Sequence, residues 1–363
     1  MKTSLYNEHV KLGAKIVDFA GYDMPINYQE GINQECKSIR SDVGIFDVSH
    51  MGQISIDGKK SFEFVQNLTT NDVSKVKNGQ CQYTLLCNEN GGIIDDLILY
   101  RIHENKFLLV VNASNIQKDY EWIKKQYNLL VNESITIENL SSDISLIAIQ
   151  GPNSRKILSN FDEFKEGIEE LKFYHFFDCS KENKLKIISR TGYTGELGYE
   201  IYGSHNYINV IWDKLINYYN VKPIGLAARD ILRLEMCYRL YGNDMDENIT
   251  PYECDLGWIV GKEKGFIGKD NVMSKIKPNK KMIAICMNEK CIPRKGYKIS
   301  DGEKEIGYIT SGTFSPTINK GIALGYVEEK KIQDAKIFVN VRNTLFSAKI
   351  IKNGFIKGNS LFE

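Results

Sequence analysis

The run Asn88-Glu89-Asn90-Gly91-Gly92-Ile93-Ile94-Asp95-Asp96-Leu97-Ile98-Leu99-Tyr100 sets two adjacent carboxylates inside a segment that otherwise reads as an apolar strand. Asn90-Gly91 signals a tight turn, because both residues tolerate positive φ. Tyr83 to Cys87 before it and Ile93 to Tyr100 after it favour extended backbone, so the pattern predicts a β-hairpin. Side chains alternate along a strand. Ile94, Asp96, Ile98 and Tyr100 are therefore expected on one face, and Ile93, Asp95, Leu97 and Leu99 on the other. Each acid then stands alone among apolar neighbours. Burying an unpaired carboxylate costs several kcal/mol or drives its pKa upward. An acid so placed is either catalytic or a structural carboxylate that takes loop N–H groups.

Composition narrows the class. The chain has 363 residues, room for two or three domains of ~100–200 residues each. Lys+Arg 47 against Asp+Glu 46 leaves a net charge of +1. Neither a nucleic-acid groove nor a membrane-binding basic patch is expected from that balance. No apolar stretch approaches the ~20 residues of a membrane span. The start, Met1 to His9, has neither a signal core nor an Arg-rich presequence, so a cytoplasmic protein is expected, or a mature organellar one without its leader. Eight cysteines are scattered without a C-x-x-C pair and read as reduced thiols. The histidines lack metal-ligand spacing, so no metal is expected. Neither a Walker A loop nor a G-x-G-x-x-G run is present, so no flavin or nicotinamide is expected either.

Along the chain, Leu5–Leu12, Gly31–Ser41, Lys60–Leu68, Lys118–Gln126, Tyr207–Tyr218 and Gly225–Tyr238 read as helices, and Pro152 opens another. Gly21 to Pro25 reads as a turn. Gly44 to Ile56 reads as strand, turn, strand; Lys106–Val111, Ser145–Gly151 and Lys184–Ser189 read as further strands. Composition shifts after Gly268, and Lys277 to Lys281 looks like a linker. Beyond it, short strands recur at Lys281–Met287, Gly296–Ile299, Glu305–Thr310, Ile322–Val327, Ala335–Val341 and Leu345–Ile351. That pattern describes an all-β barrel or sandwich of about 80 residues.

Three other segments carry chemistry. In Ser189 to Tyr202, Gly192, Gly195 and Gly198 recur every third residue and let the backbone approach a ligand closely. Glu200 follows, an acid presented among Tyr193, Tyr199 and Tyr202. One carboxylate can accept two N–H bonds from an amino-pyrimidine edge while aromatic rings pack on its face; a solvated Glu beside a structural loop fits the same spacing. In Gly225 to Glu235, Arg229 and Arg233 share a helix face. They suit a carboxylate-bearing ligand, or ion pairs with Asp230, Glu235 or acids elsewhere. Asn112 and Asn115 follow the strand beside the hairpin and can donate to a bound ring; for Asn115 a helix cap is the expected role.

Taken together, these segments resemble the glycine cleavage T-protein family, tetrahydrofolate-dependent aminomethyltransferases. The resemblance runs in order through Phe46–Gly52, Tyr83, Asn88–Asp96, Val111–Asn115, Arg190–Glu200, Gly225–Glu235, Tyr241–Asp246 and Gly265–Lys269. It implies an α+β fold: a multi-domain cloverleaf with mixed and antiparallel sheets and a C-terminal β-barrel, holding folate in a central channel. The expected division is a folate-binding region at 1–270 and a barrel at 278–358. The first holds two interleaved subdomains, roughly 1–50 with 140–270, and 51–139. It also implies the reaction. The methylene of an aminomethyl group on the lipoyl arm of the H protein passes to tetrahydrofolate, with release of ammonia. Asp96 matches the family's essential aspartate, Glu200 the acid that binds the pterin, and Arg229 the arginine of the folate site. Tyr83, Met51, Asn112 and Tyr193 match positions lining the same pocket.

Two departures stand out. Gln53 replaces the usual Glu after Met-Gly. The terminus Asn359 to Glu363 lacks the tyrosine pair of some members, which puts a C-terminal ligand contact in doubt. The alternative reading is a folate-dependent demethylase of the same superfamily acting on a small methylated donor. A folate-binding accessory protein for iron–sulfur maturation would carry a Lys-Gly-Cys motif, which is absent here, and the tail of a flavin amine dehydrogenase would follow a nucleotide-binding domain.

Overall fold

In a computed structural model, residues 1–129, 134–179, 185–331, 336–352 and 354–363 are described. The hairpin forms as Gln80–Cys87 paired with Ile93–His103. Its turn is longer than a two-residue one. Asn88 Oδ1 accepts from the backbone N–H groups of Asn90 and Gly92, both at 3.0 Å, and only Gly91 takes positive φ, at 84°. The register shifts between Leu86 and Cys87, leaving Ile94 as the extra residue. Ile94 therefore packs with Leu97 and Leu99 instead of sharing the face of Asp96. The acids themselves do point to opposite faces, as alternation requires.

The hairpin belongs to an antiparallel five-stranded sheet. Its order is Gln80–Cys87, Ile93–His103, Lys106–Val111, Gly52–Asp57, Thr136–Asn139. Beside it lies a six-stranded sheet, ordered Phe176–Asp178, Ile187–Ser189, Gly198–Ser204, Ile144–Gln150, Gly44–Asp47, Lys222–Pro223. Only its last pairing is parallel, so the sheet is mixed. The sheets meet where Cys81 N–H donates to Tyr174 O at 2.8 Å and Phe176 N–H to Gly79 O at 2.9 Å. Between them Phe46, Tyr100, Leu108, Val110, Ala148, Tyr202 and Leu232 form one apolar layer. A second core, with Trp212 at 1% exposure, lies under the helices of the six-stranded sheet.

Six C-terminal strands close into an antiparallel barrel, ordered Lys280–Met287, Lys320–Glu328, Glu305–Ser315, Lys298–Ser300, Ile337–Val341, Thr344–Ile351. Closure removes exposed strand edges, and Ile285, Met287, Ile299, Ala323 and Val339 fill the interior. This settles the choice between barrel and sandwich. Ile285→Val is expected to lower stability by about 1 kcal/mol, because one buried methyl is lost against a packed wall; the shift of a denaturation midpoint at constant slope reads it.

Several local readings need correction. Gly21 to Pro25 is not all turn: Tyr22–Asn27 pairs with Lys15–Phe19, and the turn is Ala20-Gly21. Pro25 is tolerated because a two-stranded sheet has only edge strands. The Pro152 helix is short, Ser154–Leu158. Thr136–Asn139 and Lys269–Ser274 form elements that the pattern did not predict. The expected starts of two strands, Lys184 and Ala335, lie outside the described residues. No helix among the described residues is long and apolar enough to cross a membrane.

Candidate active site

A cavity of about 1000 Å³ opens between the two sheets and the segment that runs from Met236 to Trp258. Met51, Tyr83, Asp96, Asn112, Tyr193, Glu200 and Arg229 all line it, so the fold brings together every residue singled out for the pocket. They come from distant parts of the chain. Asp96 and Tyr83 sit on paired strands of the hairpin. Asn112 ends the next strand, Glu200 lies mid-strand in the other sheet, and Arg229 is on the Leu226–Glu235 helix.

Asp96 turns its carboxylate into the cavity and is held on both oxygens. Tyr83 OH donates to Oδ2 at 3.0 Å and Asn112 Nδ2 to Oδ1 at 2.8 Å. Burial, followed by the charge of Asp95, pushes its pKa up to about 7, against the pull of those two hydrogen bonds. A carboxyl poised near neutrality can both stabilise a cation and exchange a proton.

Asp95 behaves differently. It points away from the cavity and accepts from Asn112 N–H at 3.0 Å, Asn112 Nδ2 at 2.8 Å and Asn115 Nδ2 at 2.6 Å. Asn115 is therefore not a side-chain cap for the helix it precedes, since its amide serves Asp95. Nor do the two acids stand alone: one amide, Asn112 Nδ2, joins them.

Across the cavity, Glu200 is 9% exposed and accepts from Thr191 Oγ1 at 2.5 Å on Oε2. Thr191 is tied in turn to Ser189 at 2.7 Å and to Tyr100, which meets Tyr202 at 2.8 Å. Thr191 thereby fixes Oε2, and the Tyr202 hydroxyl of the same chain also acts on the carboxylate. The glycine run makes room: a Cβ on Gly192 or Gly198 would fall 2.2 Å from the Gln150 side chain, which donates to Thr191 O at 3.1 Å. Arg229 lies with its guanidinium carbon 4.8 Å from the Tyr193 ring centre. Its Nη1 is buried and lacks a hydrogen-bond partner among the described residues. Tyr193 donates to Arg239 O and stacks on Tyr238 at 5.7 Å. Arg233 does not join Arg229 in the cavity: it is 1% exposed and bonds Asp244 and Asp230 instead. Glu235 pairs with Arg40 at 2.7 Å.

Sequence reasoning gave no role to several wall residues. His50 lines the cavity with Nδ1 unpartnered, and burial pushes its pKa down to about 4, so the ring is neutral. Trp258 stands 73% exposed at the wall, 6.2 Å from Tyr83. The C-terminus reaches the cavity after all, through Leu361 and Phe362, with Phe362 packed on Phe173 at 5.4 Å. Two aromatic rings near the end of the chain were the available signal, but Phe is too common to single out. Gln53 lies beneath the wall, fully buried, its Nε2 donating to Met51 O at 2.8 Å.

Comparison with known proteins agrees with this arrangement. Residues 5–264 match the family described as "GCVT N-terminal domain", and residues 280–357 the "Glycine cleavage T-protein C-terminal barrel domain". The chain is 47% identical to an aminomethyltransferase of Thermosipho melanesiensis over 98% of this chain and 97% of that protein. It is 44% identical to an aminomethyltransferase of Chloroherpeton thalassium over 98% and 99%. The crystal structure of glycine cleavage system aminomethyltransferase T from Bartonella henselae superposes with a TM-score of 0.91 at 33% identity, covering 99% of each chain.

Proposed function

The chain belongs to the glycine cleavage T-protein family of aminomethyltransferases, and we propose that its central cavity is where aminomethyl transfer takes place. In this reading the donor is the aminomethyl group on the lipoyl arm of an H protein, and the acceptor is tetrahydrofolate. The products are 5,10-methylenetetrahydrofolate, ammonia and the dihydrolipoyl H protein. The observation that carries the reading is the pairing of one half-buried carboxylate, Asp96, with a second acid and an unpartnered arginine across the same cavity.

The residues divide the work. As the carbon–nitrogen bond of the donor breaks, positive charge builds on the transferred carbon. Asp96 faces that carbon as a carboxylate and stabilises the charge electrostatically. The same group can take the proton that the attacking folate nitrogen gives up. Tyr83 and Asn112 hold its two oxygens still. Glu200 offers its carboxylate to the amino-pyrimidine edge of the pterin. Arg229 directs its unpartnered Nη1 toward a carboxylate or carbonyl of the bound folate. Met51 and Tyr193 supply apolar and aromatic wall.

The donor set fits folate. The cavity has the size of a large organic ligand, Asp96 stands on one wall and Glu200 with Arg229 on another, and its lining is mainly apolar and aromatic. Replacing Glu200 by Gln removes a charged acceptor and is expected to weaken tetrahydrofolate binding by about tenfold or more. Calorimetric titration of tetrahydrofolate into wild type and variant tests this. Equal affinities would remove Glu200 from the folate site.

A further inference from the structure

The cavity reading leaves one buried acid unexplained. Asp119, on the Ile116–Asn128 helix, is 0% exposed, and no N–H or O–H among the described residues donates to either of its carboxyl oxygens. The Asp95 and Asp119 carboxyls lie close enough to share a hydrogen bond once one of them carries a proton. Two carboxyls in contact out of water cannot both be ionised, so one proton must lie between them.

The surroundings decide which one holds it. Asp95 receives three N–H bonds, from Asn112 N, Asn112 Nδ2 and Asn115 Nδ2. A group so supplied with donors is the carboxylate, and the donor-free Asp119 is the acid. Burial, then the Asp95 charge, pushes the Asp119 pKa up to about 11, so its proton stays through neutral pH.

Among the described residues no cation forms an ion pair with the cluster, although the Lys118 charge acts on Asp119 from a distance. Lys118, the neighbour on the same helix, gives its ammonium to Ile94 O at 2.8 Å, Tyr241 OH at 2.8 Å and Glu247 at 3.2 Å. The loop beyond adds further negative charge at Asp246 and Glu247, both felt by Tyr241. On the cavity side Tyr83 meets Asp96, with Tyr193 nearby. The link to Asp96 is the shared amide: Asn112 Nδ2 lies 2.8 Å from Asp95 Oδ1 and 2.8 Å from Asp96 Oδ1.

We infer that Asp119 is a positioning residue for the transfer: as a neutral acid it donates the hydrogen bond that keeps Asp95 ionised, and through Asp95 and Asn112 it sets the proton affinity of Asp96. This inference rests on the role proposed for Asp96. Without the Asp119 donor, burial raises the proton affinity of Asp95 against one fewer hydrogen bond to its ionised form. The like charge beside Asp96 is weakened as Asp95 takes up a proton more readily, and Asp96 ionises more readily.

The test compares the pH profile of kcat for H-protein- and folate-dependent ammonia release in wild type, Asp119→Asn and Asp119→Ala. The amide of Asn donates as the acid does. Asp119→Asn should therefore keep the acidic limb in place and hold kcat within about threefold of wild type. Asp119→Ala should move that limb to lower pH by about one unit, the size of one close like charge. A limb that moves equally in both variants, or in neither while both melt cooperatively, overturns the inference.

A second readout does not need activity. At neutral pH the wild type should show the infrared carbonyl band of a buried carboxylic acid that Asp119→Asn lacks. No such difference overturns the inference even where Asp119→Ala fails to fold. The band present in an enzyme inactive with H protein and folate would instead fault the proposed reaction.

Discussion

Asp96→Asn is expected to cut the turnover of aminomethyl transfer by roughly 10²–10⁴-fold while leaving tetrahydrofolate affinity within a few-fold. The amide has the shape of the acid and can still meet Tyr83 and Asn112. What it lacks is the negative charge facing the transferred carbon and the ability to hold a proton. In the proposed arrangement binding rests on the opposite wall, at Glu200 and Arg229, so kcat and Kd should separate.

In the wild type, activity should need the carboxylate. With its pKa raised to about 7, kcat should fall as pH drops through that value. The same shift gives a stability signature. The unfolded chain loses this proton near the ordinary 3.8, the folded one only near 7. Between those values the folded state binds more protons, so rising pH removes stability. Asp96→Asn is free of this burden and should melt higher than wild type at pH 8, with the gap closing toward pH 4. A variant that loses activity and stability together would mean that Asp96 is structural.

The second large effect concerns the joint between the cavity helix and the barrel. Arg233 is 1% exposed and reaches Asp244 at 2.7 Å, Tyr238 O at 2.8 Å and Ser311 Oγ at 2.9 Å. Asp244, fully buried, also accepts from Thr310 Oγ1 at 2.5 Å. Ser311 and Thr310 are barrel residues, so this pair ties the Leu226–Glu235 helix, and Arg229 with it, to the barrel wall. Arg233→Met keeps most of the volume but leaves Asp244 as an uncompensated buried charge. The expected loss is about 3–5 kcal/mol of unfolding free energy. The double variant with Asp244→Asn should lose less than the sum of the two single changes, because the stranded charge is gone. Urea titrations of all four proteins measure this. A loss under about 1 kcal/mol in Arg233→Met would place the pair among weakly coupled surface bridges.

The pattern of legibility follows from how local each signal is. The hairpin was readable because a turn residue with positive φ and a two-residue alternation are both short-range. The acid pair was readable because a charge in an apolar strand is anomalous wherever the strand goes; Asp96 was set apart from Asp95 only by the family resemblance. The barrel strands were readable in number and in rough place, but Glu305–Ser315 runs five residues beyond its expected end. Its extension pairs with Lys320–Glu328, a tertiary preference with no local marker.

Partners were the harder part. Arg229 and Arg233 look equivalent on a helical wheel, yet one faces the cavity and the other an acid eleven residues on. Asn115 has the composition of a cap, and Asp119 that of an acid suited to the helix N-terminus; both instead serve Asp95. Tyr22 to Pro25 was misread as turn because Gly21 and Pro25 mark turns, and nothing local shows that Pro25 lies on an edge.

The most direct measurement of the central claim is a single-turnover assay of ammonia release. It uses H protein carrying the aminomethyl-lipoyl group, with tetrahydrofolate present or omitted, beside an Asp96→Asn control. The account predicts rapid release only when both substrates are present, with 5,10-methylenetetrahydrofolate formed in equal amount and the burst abolished in the variant. Tight folate binding with no release from loaded H protein, or release unchanged by Asp96→Asn, would contradict it.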